Sequence, residues 1–430
     1  MLIPELYNIY LQYPSIQTDS RNLKAGDLFF ALTGPNFNGN QFAEQALQAG
    51  AAYSITDDYH GPQNNRIIKV PNVLTCLQEL AKYHRVQFNN SPTPIPFIAI
   101  TGSNGKTTSK ELIHAVLSST YITYTTAGNL NNHIGIPLTI LKIKQDAEIA
   151  IIEMGANHQL EIAGYCEYCM PTHGIITNCG KAHLEGFGGE EGIRKGKGEL
   201  FDYLRLHNGS AFVMWDYDYL REMSIGIPHV FTYGTKEAAI TGAVKNSSEL
   251  LTVSIHSGAA IEEIKTNLVG AYNLPNILLA VSLGKYFNVP DDKIKSALEA
   301  YMPSNSRSQL LKKDGNKIIM DAYNANPSSM KAAIENFANM NDPEKILMLG
   351  GMMELGSESV QEHSAIIELI KKYNWKNVVL VGGDYHKINH PYINFKDATE
   401  AKAWFHQQDL KQVAILIKGS RSMQMEKILE

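Results

Sequence analysis

The sequence predicts an α/β protein of three domains, and three observations support that prediction. The chain has 430 residues, and a chain of this length usually divides into two or three domains of about 100–200 residues each. Short apolar runs alternate with helical patterns over most of the chain, which is typical of parallel sheets covered by helices. A stretch rich in turn residues and a change of pattern near Ser304 divide the chain, so we predict domains at residues 1–92, 93–303 and 304–430.

The first domain contains an extended apolar run at residues 27–32 and a helical pattern at residues 42–49, which Gly50 closes. Residues 89–96 are dense in asparagine and proline. That composition is typical of a linker, and we expect the first domain to end within it.

The central and third domains contain continuous apolar runs, which indicate strands buried on both faces of a sheet. In the central domain these runs lie at residues 97–100, 149–152 and 174–177. The third domain has four such runs, at residues 317–320, 345–349, 378–381 and 414–417. With helical stretches between the runs, the third domain is predicted to be a second, Rossmann-like α/β domain.

The composition excludes several classes of protein. The net charge is −5 and no long basic run occurs, so nucleic acid is not the expected partner. Neither a signal peptide nor a transmembrane helix is predicted, and we expect a cytoplasmic protein. The Cys166–Cys169 pair lacks a second half for a zinc site, so we expect the four cysteines to be ordinary thiols in a reducing compartment.

The clearest chemical signal is a phosphate-binding loop at residues 101–108, directly after the strand at residues 97–100. Its glycines let successive N–H groups point at one oxyanion, and the following helix adds positive potential at its N-terminus. Lys106 supplies a cation for the phosphates and a threonine hydroxyl can bind Mg²⁺. The candidate residues are Gly102, Ser103, Asn104, Gly105, Lys106, Thr107 and Thr108. The loop predicts ATP or GTP binding and leaves kinase, motor, transporter subunit and ligase open.

Three further residues are candidate metal or catalytic groups. Glu153 follows a buried strand, where a carboxylate beside a phosphate loop is placed to bind Mg²⁺. His183 lies in a glycine-rich segment and Lys197 in a helical one. Considered alone, both side chains are more typical of surface residues.

Together these motifs resemble those of the Mur ligase family. The matching segments occur in the family's order at residues 101–108, 129–137, 153–157, 183–188, 321–330, 349–356 and 418–426. The Tyr-Asn-Ala-Asn-Pro stretch from Tyr323 and the Gly-Ser-Arg-Ser-Met stretch from Gly419 are the most specific. They are similar to the branch that joins D-alanyl-D-alanine to UDP-N-acetylmuramoyl-tripeptide, so these two compounds and ATP are the implied partners.

The resemblance implies a role for each matching residue. ATP would phosphorylate a peptide carboxylate, and an amine would attack the acyl phosphate. Lys106 and Thr107 would act on the phosphates with a first Mg²⁺ and Glu153, His183 would bind a second Mg²⁺, and Lys197 would be carbamylated. The other implied ATP-binding residues are Asn273, Asn276, Arg307, Asp321, Tyr323, Asn324 and Asn326. The implied UDP-substrate residues are Ser20, Arg21, Asn131 and Asn132.

Candidate nucleotide contacts lie on both sides of residue 303, so we expect the third domain to close over ATP. We also expect a monomer.

Two departures and several alternatives accompany the resemblance. Gly351 stands where the family motif usually has aspartate, and Asn38 and Asn40 stand where aspartate and histidine are common. A sister branch adds the third residue of the peptide, but its Asp-Asn-Pro motif is absent from the sequence. A folylpolyglutamate-synthetase-like ligase is a further alternative. A nucleotide-gated binding module would not need Glu153, His183 and Lys197 together, and no feature favours a motor or transporter.

Overall fold

The computed structural model describes residues 2–89, 94–304 and 306–430. The chain forms two compact units. The first comprises Met1–Ala99, Ile122–Gly155 and Glu161–His173; the second comprises Ile100–Tyr121, Ala156–Leu160 and Gly174–Glu430. Residues 90–93, which include half of the predicted linker and the predicted boundary at residue 92, lie outside the described residues. The two predicted boundaries between the three domains stay predictions.

The first 89 residues fold into a small parallel sheet with three helices. In chain order the elements are α1 (Ile3–Gln12), β1 (Ile16–Gln17), β2 (Leu28–Phe30), β3 (Thr33–Gly34), β4 (Phe37–Asn38), α2 (Ala43–Gln48), β5 (Tyr53–Thr56), β6 (Ile67–Lys69) and α3 (Val73–Asn89). The sheet has the order β1-β2-β5-β6 with parallel neighbours, and β3 and β4 form a separate hairpin. The predictions of an extended run at residues 27–32 and a helix at residues 42–49 are confirmed.

The next segment contains the strands that carry the phosphate loop and Glu153. Its elements are β7 (Phe97–Thr101), α4 (Lys106–Ser118), β8 (Thr123–Thr125), α5 (Gly135–Ile140), β9 (Ile149–Glu153), α6 (Glu161–Cys169), β10 (His173–Ile176), α7 (Leu184–Phe187) and α8 (Glu190–Leu206). Every residue of β7, β9 and β10 is buried, which explains why each of these strands is an unbroken apolar run up to its ends. In the first unit, β8 pairs with β9 in parallel.

The following elements belong to the second unit and include antiparallel strands that the sequence did not predict. They are β11 (Ser210–Met214), α9 (Asp218–Ser224), β12 (His229–Gly234), β13 (Ile240–Asn246), β14 (Thr252–Ser257), β15 (Glu263–Lys265), α10 (Leu274–Tyr286) and α11 (Asp291–Ala300). Strands β11, β12 and β13 are parallel, whereas β13, β14 and β15 are antiparallel. The connections between β13, β14 and β15 are too short for a parallel crossover, which needs a dozen or more residues.

The last segment is an α/β domain, as predicted, but its sheet has six strands, two more than the four predicted runs. Its elements are β16 (Gln309–Lys313), β17 (Asn316–Asp321), α12 (Pro327–Ala338), β18 (Lys345–Gly350), α13 (Ser359–Ile370), β19 (Asn377–Val381), β20 (Ile393–Phe395), α14 (Ala398–Gln407) and β21 (Ala414–Lys418). The order is β16-β17-β21-β18-β19-β20. All neighbours are parallel except β16 and β17, which are joined through Asp314 and Gly315 at φ 51° and 75°, the left-handed pair that a two-residue hairpin turn requires.

The register of this sheet brings three functional segments to one edge. Asp321, at the end of β17, lies opposite Lys418, at the end of β21. Leu349, near the end of β18, also lies opposite Lys418. In parallel sheets ligands bind outside the carboxyl ends of the strands, and the segments after these three strands begin there.

The four cysteines are free thiols, as predicted, whereas the reducing compartment stays a prediction. The thiols of Cys76, Cys166, Cys169 and Cys179 are free and buried. Burial raises the pKa of the Cys76 and Cys179 thiols to about 11 and that of Cys169 to about 12, so these thiols stay protonated near neutral pH. Within the described parts of the chain, no helix is both long and apolar enough to cross a membrane.

Candidate active site

The phosphate loop connects β7 to α4 through two glycines in conformations that other residues rarely adopt. Gly102 has φ +138° and Gly105 has φ +83°. A Cβ at Gly102 would lie 2.0 Å from Thr177 Oγ1, and one at Gly105 would lie 2.8 Å from Asn276 Oδ1. Both glycines are therefore required by conformation and by close contact. Helix α4 begins at Lys106, so the loop ends at a helix N-terminus, as predicted.

The loop is supported by the segment that follows β10. Ser103 N–H donates to Asn178 O at 2.8 Å, and Ser103 Oγ donates to Gly180 O at 2.6 Å. Asn104 N–H donates to Asn178 Oδ1 at 3.1 Å, while Asn104 O accepts from Thr177 Oγ1 at 2.6 Å. These hydrogen bonds connect the phosphate loop to the segment after β10.

Lys106 folds back over the loop that precedes it. Its Nζ donates to Gly102 O at 2.6 Å and to Ser103 O at 3.3 Å. Thr107, the next residue of α4, is 8% exposed. The cation and the hydroxyl therefore both lie at the turn where the sequence predicts phosphate binding.

The two predicted adenine-side asparagines form a buried chain next to α4. Asn276 Oδ1 accepts from Ser109 Oγ at 3.0 Å, and Asn276 Nδ2 donates to Asn273 Oδ1 at 2.8 Å. Asn273 Nδ2 in turn donates to Val269 O at 2.9 Å. The chain ties the start of α10 to the helix that begins at the phosphate loop.

Tyr323, after β17, lies between two arginines. The guanidinium carbon of Arg307 is 3.5 Å from the centre of the Tyr323 ring, and that of Arg421 is 5.3 Å from it. Asp321 accepts from Ser308 N–H at 3.0 Å and pairs with the buried Lys418 ammonium at 2.6 Å. The structure therefore brings the predicted residues Arg307, Asp321 and Tyr323 into one cluster.

The segment after β17 also contacts the phosphate loop directly. Asn326 Nδ2 donates to Asn104 Oδ1 at 2.8 Å, while Asn326 Oδ1 caps α12 by accepting from Ser329 N–H at 2.9 Å. Nearby, Lys181 N–H donates to Ser328 Oγ at 2.9 Å. The side chain of Asn324 accepts locally from Ala325 N–H at 2.9 Å. Of the predicted residues in this segment, Asn326 is the one that joins the phosphate loop.

His183 directly precedes the short helix α7, and Lys197, which lies within α8, contacts Phe187 at the other end of α7. His183 precedes α7 with φ 52°, and its Nδ1 contacts a carboxylate oxygen of Glu354. The neighbouring His183 imidazole lowers the pKa of the Glu354 carboxyl. Lys197 is 1% exposed; its Nζ donates to Ala156 O at 2.9 Å and lies 4.7 Å from the centre of the Phe187 ring of α7.

Glu153, Asn131 and Asn132 lie in the first unit. Glu153 is 2% exposed, and its Oε1 accepts from Asn131 Nδ2 at 2.8 Å. Glu153 N–H donates to Thr126 Oγ1 at 3.0 Å. Asn132 Oδ1 accepts from Gly135 N–H at 2.9 Å at the start of α5. Asn131 therefore orients the carboxylate, and Asn132 caps a helix.

Ser20 and Arg21 form part of a single-turn helix at Ser20–Asn22 in the first unit. Arg21 donates twice to the Asp19 carboxylate, at 2.9 and 2.7 Å. These hydrogen bonds hold the pKa of Asp19 at about 2. The Arg21 side chain is 86% exposed, so it is accessible to a ligand.

The positions that depart from the family pattern have structural partners in this chain. Asn40 Nδ2 donates to Asp57 Oδ1 at 2.8 Å and to Asn38 Oδ1 at 3.0 Å. A Cβ at Gly351 would lie 2.4 Å from Gly383 Cα. An aspartate therefore does not fit at position 351 without a shift of the backbone.

The predicted Mg²⁺ ligands are divided between the units, with Glu153 in the first and Thr107, His183 and Lys197 in the second. Among the described residues no three His, Cys, Asp or Glu side chains form a metal-sized cluster. Mg²⁺ usually keeps several waters and takes one or two carboxylates together with substrate phosphates. The Thr107 hydroxyl in the second unit and the buried Glu153 carboxylate in the first are each a type of oxygen ligand that Mg²⁺ accepts.

A cavity of about 580 Å³ lies apart from these residues. It is bounded by the β13–β14 turn, by Tyr272 and by α12, through Glu335 and Asn336. None of the predicted site residues lines it.

Two residues in the matching segments had no role assigned from the sequence. Glu354 contacts His183, and Lys418 neutralises Asp321. Both lie within the segments that resemble the family, at residues 349–356 and 418–426. Their position in these segments was the one sequence feature that pointed to a role for them. Sequence spacing does not indicate which distant residue each of them contacts.

Three family models match the chain in order. Residues 12–85 match the description "Mur ligase family, catalytic domain", residues 100–284 match "Mur ligase middle domain", and residues 306–421 match "Mur ligase, glutamate ligase domain".

Similar proteins match along nearly the whole chain. UDP-N-acetylmuramoyl-tripeptide–D-alanyl-D-alanine ligase of Escherichia coli is 34% identical, over 99% of this chain and 95% of its own. The ligase of the same name from Bacillus subtilis is 33% identical, over 96% of this chain and 92% of its own. The crystal structure of MurF from Acinetobacter baumannii has a TM-score of 0.86 at 28% identity, over 96% of this chain and 92% of that one.

Proposed function

Because the chain belongs to the Mur ligase family, we propose that it joins D-alanyl-D-alanine to UDP-N-acetylmuramoyl-tripeptide at the expense of ATP. The product is the pentapeptide precursor of peptidoglycan. The observation that carries the proposal is the agreement along almost the full chain with ligases of that name. The contact between Asn326 and the phosphate-loop residue Asn104 supports it, because it joins the most family-specific segment to the nucleotide site.

The reaction must make a carboxylate electrophilic, because a carboxylate resists attack by an amine near neutral pH. Transfer of the γ-phosphoryl group of ATP to the terminal carboxylate of the tripeptide gives an acyl phosphate and ADP. The amine of D-alanyl-D-alanine then attacks the acyl carbon, and phosphate leaves. Phosphoryl transfer depends on positioning and charge neutralisation.

We assign these tasks to residues of the second unit. The N–H groups of residues 102–108 and the Lys106 ammonium would hold the phosphates at the N-terminus of α4. Asn273 and Asn276 would contact the adenine side. In this assignment Arg307 would lie near the nucleotide phosphates. The flat face of the Tyr323 ring would pack against the ribose or the base.

Mg²⁺ would neutralise charge on the transferred phosphoryl group when bound. We propose Thr107 and Glu153 as ligands of one ion and His183, with Lys197 as a carbamate, as ligands of another. Lys197 is buried against the Phe187 ring and Ala156 O. Burial disfavours an ammonium, and only the neutral amine reacts with CO₂, so these surroundings are compatible with carbamylation.

The assignment of Ser20, Arg21, Asn131 and Asn132 to the UDP-linked substrate stays a proposal. Arg21 is exposed and cationic, which suits a diphosphate. Asn131 has a second role, because it hydrogen-bonds to Glu153. The predicted cytoplasmic location, monomeric state and closure of the third domain over ATP also stay predictions.

The test is phosphate release from ATP and Mg²⁺ with UDP-N-acetylmuramoyl-tripeptide, with and without D-alanyl-D-alanine. We expect release to require both substrates and the product to have the mass of the pentapeptide. Release that needs a single free amino acid and a UDP-linked dipeptide would assign the chain to the sister branch. Release with a folate and glutamate would favour the folylpolyglutamate-type alternative.

A further inference from the structure

The contact between His183 and Glu354 joins two residues that both have uncommon backbone conformations. His183 has φ 52° and Glu354 has φ 62°, in the left-handed region that non-glycine residues seldom adopt. Such strained residues persist only where the surroundings hold them, and they occur preferentially at functional sites. Glu354 belongs to the segment after β18, whereas His183 precedes α7.

Three contacts hold the two segments together. The Glu354 carboxylate contacts His183 Nδ1, and Glu185 N–H points to Glu354 O at 3.5 Å. Gly356, at φ +56°, approaches Glu185 so closely that a Cβ there would lie 3.1 Å from Glu185 Cβ. The carboxylate is therefore held at the ring by its backbone and not only by a flexible side chain.

A histidine that binds a metal through one ring nitrogen usually donates its other N–H to a carboxylate or carbonyl. That partner fixes the tautomer, orients the ring and raises the basicity of the ligating nitrogen. In His183 the Nδ1 atom faces Glu354, so a proton on Nδ1 leaves the lone pair on Nε2. The orientation of the histidine ring matters more for Mg²⁺ than for softer ions, because Mg²⁺ prefers oxygen ligands and demands strict octahedral geometry.

We propose that Glu354 is a positioning residue that holds His183 in the Nδ1–H tautomer, which would leave the Nε2 lone pair free to bind the second Mg²⁺. This inference rests on the proposed role of His183 as a ligand of that ion. It adds a role for a residue that the sequence left unassigned.

The placement of Glu354 links metal binding to the docking of the segment after β18. The same face carries two other contacts near the phosphate loop: Asn326 with Asn104, and Lys181 Nζ with the Glu362 carboxylate at 2.7 Å. Loss of these contacts would remove the carboxylate from His183. The histidine would then bind the ion well only when this segment is docked.

The test uses Mn²⁺ as a spectroscopic probe of the metal sites in the full chain with a non-hydrolysable ATP analogue. Electron paramagnetic resonance counts the bound ions and gives the dissociation constant of each. We expect wild type to bind two ions and Glu354→Ala to bind the second one about 10- to 100-fold more weakly, which is the usual loss for an outer-sphere partner. Glu358→Gln, which removes a carboxylate from the same segment, is the matched control and should bind both ions as wild type does.

A second measurement does not need a metal. Nitrogen-15 spectra of histidine-labelled protein, with His183→Gln identifying the signal, report which ring nitrogen carries the proton. We expect a single Nδ1–H tautomer in wild type and a mixture in Glu354→Ala. If Glu354→Ala does not fold, Glu354→Gln serves instead: its amide still accepts the hydrogen bond without the charge, so the tautomer should persist while the second ion binds more weakly.

The outcomes separate the two claims. If His183→Gln loses the second Mn²⁺ but Glu354→Ala binds it with wild-type affinity and keeps the tautomer, the positioning role of Glu354 is overturned. If His183→Gln itself keeps both ions, the metal role of His183 in the proposed function is wrong, and with it the premise of the inference. Loss of the second ion in both variants supports both.

Discussion

Replacing Gly351 with aspartate would restore the residue usual in the family motif, and we expect it to destabilise this protein. A Cβ at position 351 would lie 2.4 Å from Gly383 Cα and 2.8 Å from Gly383 N. Both obstacles are backbone atoms, so no side chain can rotate away. Ordinary van der Waals contact begins at 3.4 Å, so the two chain segments would have to separate by about 1 Å.

Hydrogen bonds on both sides oppose that separation. Gly351 N–H donates to Val381 O at 2.9 Å, Ser420 N–H donates to Gly351 O at 3.2 Å, and Gly382 N–H donates to Phe395 O at 2.9 Å. Inserting extra carbon atoms into a packed region costs about 1–3 kcal/mol. A loss of about 2 kcal/mol in unfolding free energy lowers the melting temperature of a domain of roughly 150–250 residues by roughly 4–8 °C.

The assay is calorimetric unfolding of the full chain as wild type, Gly351→Asp and Gly351→Ala. Both variants add the obstructed Cβ, so both should melt at lower temperature than wild type. Gly164→Ala is the control: this residue lies in helix α6, and a Cβ there meets nothing within 4 Å. The control should leave stability unchanged or raise it slightly. Gly351→Asp that melts at or above the wild-type temperature would refute the steric argument.

Three further predictions test separate parts of the structure. Lys418→Met should cost roughly 3 kcal/mol in unfolding free energy, because it leaves the Asp321 carboxylate largely buried without its cation. Adding Asp321→Asn to that variant should recover part of the loss. Additive losses in a double-mutant cycle would contradict the pairing. Burial lowers the pKa of His173 to about 4, so the unfolded chain binds this proton below pH of about 6.5 while the folded chain does not until about pH 4. Stability therefore falls as the pH drops from about 6.5 to about 4, by on the order of 3 kcal/mol, and denaturant unfolding of His173→Gln should show a shallower fall than wild type. Lys197→Ala should lose most ligase activity in steady-state assays, with partial recovery on adding a short-chain carboxylate, whereas wild-type turnover would exclude the carbamate role.

Most of the strands that the sequence predicted are fully buried, although Ser210–Met214 is equally buried and was not predicted. Each of β7, β9, β18 and β21 is an apolar run with one polar residue at an end, and a parallel strand covered on both faces requires that composition. Strands β13 to β15 were missed because they lie half exposed at an antiparallel edge. Ile240–Asn246, for example, alternates only partly between buried and accessible residues and ends in polar ones. Its short apolar content does not distinguish it from a loop.

The candidate site was predictable where its chemistry is contiguous in sequence. The phosphate loop needs two glycines and a lysine within five residues, and all of them fall in one strand-to-helix turn. The partners that shape the loop come from elsewhere: Asn178 supports its backbone, and Asn326 joins it from beyond β17. Those contacts depend on which strands are neighbours in a sheet, and a single sequence does not determine that order.

The order of strands in the last sheet explains why several of these distant contacts occur together. Strands β17, β21 and β18 are adjacent, so the segments that carry Tyr323, Ser420 and Glu354 start side by side. Ser420 connects them: its Oγ donates to Ala325 O at 3.3 Å and accepts from Met353 N–H at 3.1 Å.

A displacement of any one segment is therefore passed to the other two through these hydrogen bonds. Gly351, which contacts Gly383, is connected to these segments as well, because Ser420 N–H also donates to Gly351 O. It follows that a side chain at position 351 would disturb Tyr323 and Glu354 together. The effects of Gly351→Ala and Glu354→Ala on Mn²⁺ affinity should then be less than additive, as expected for residues that act through one coupled unit.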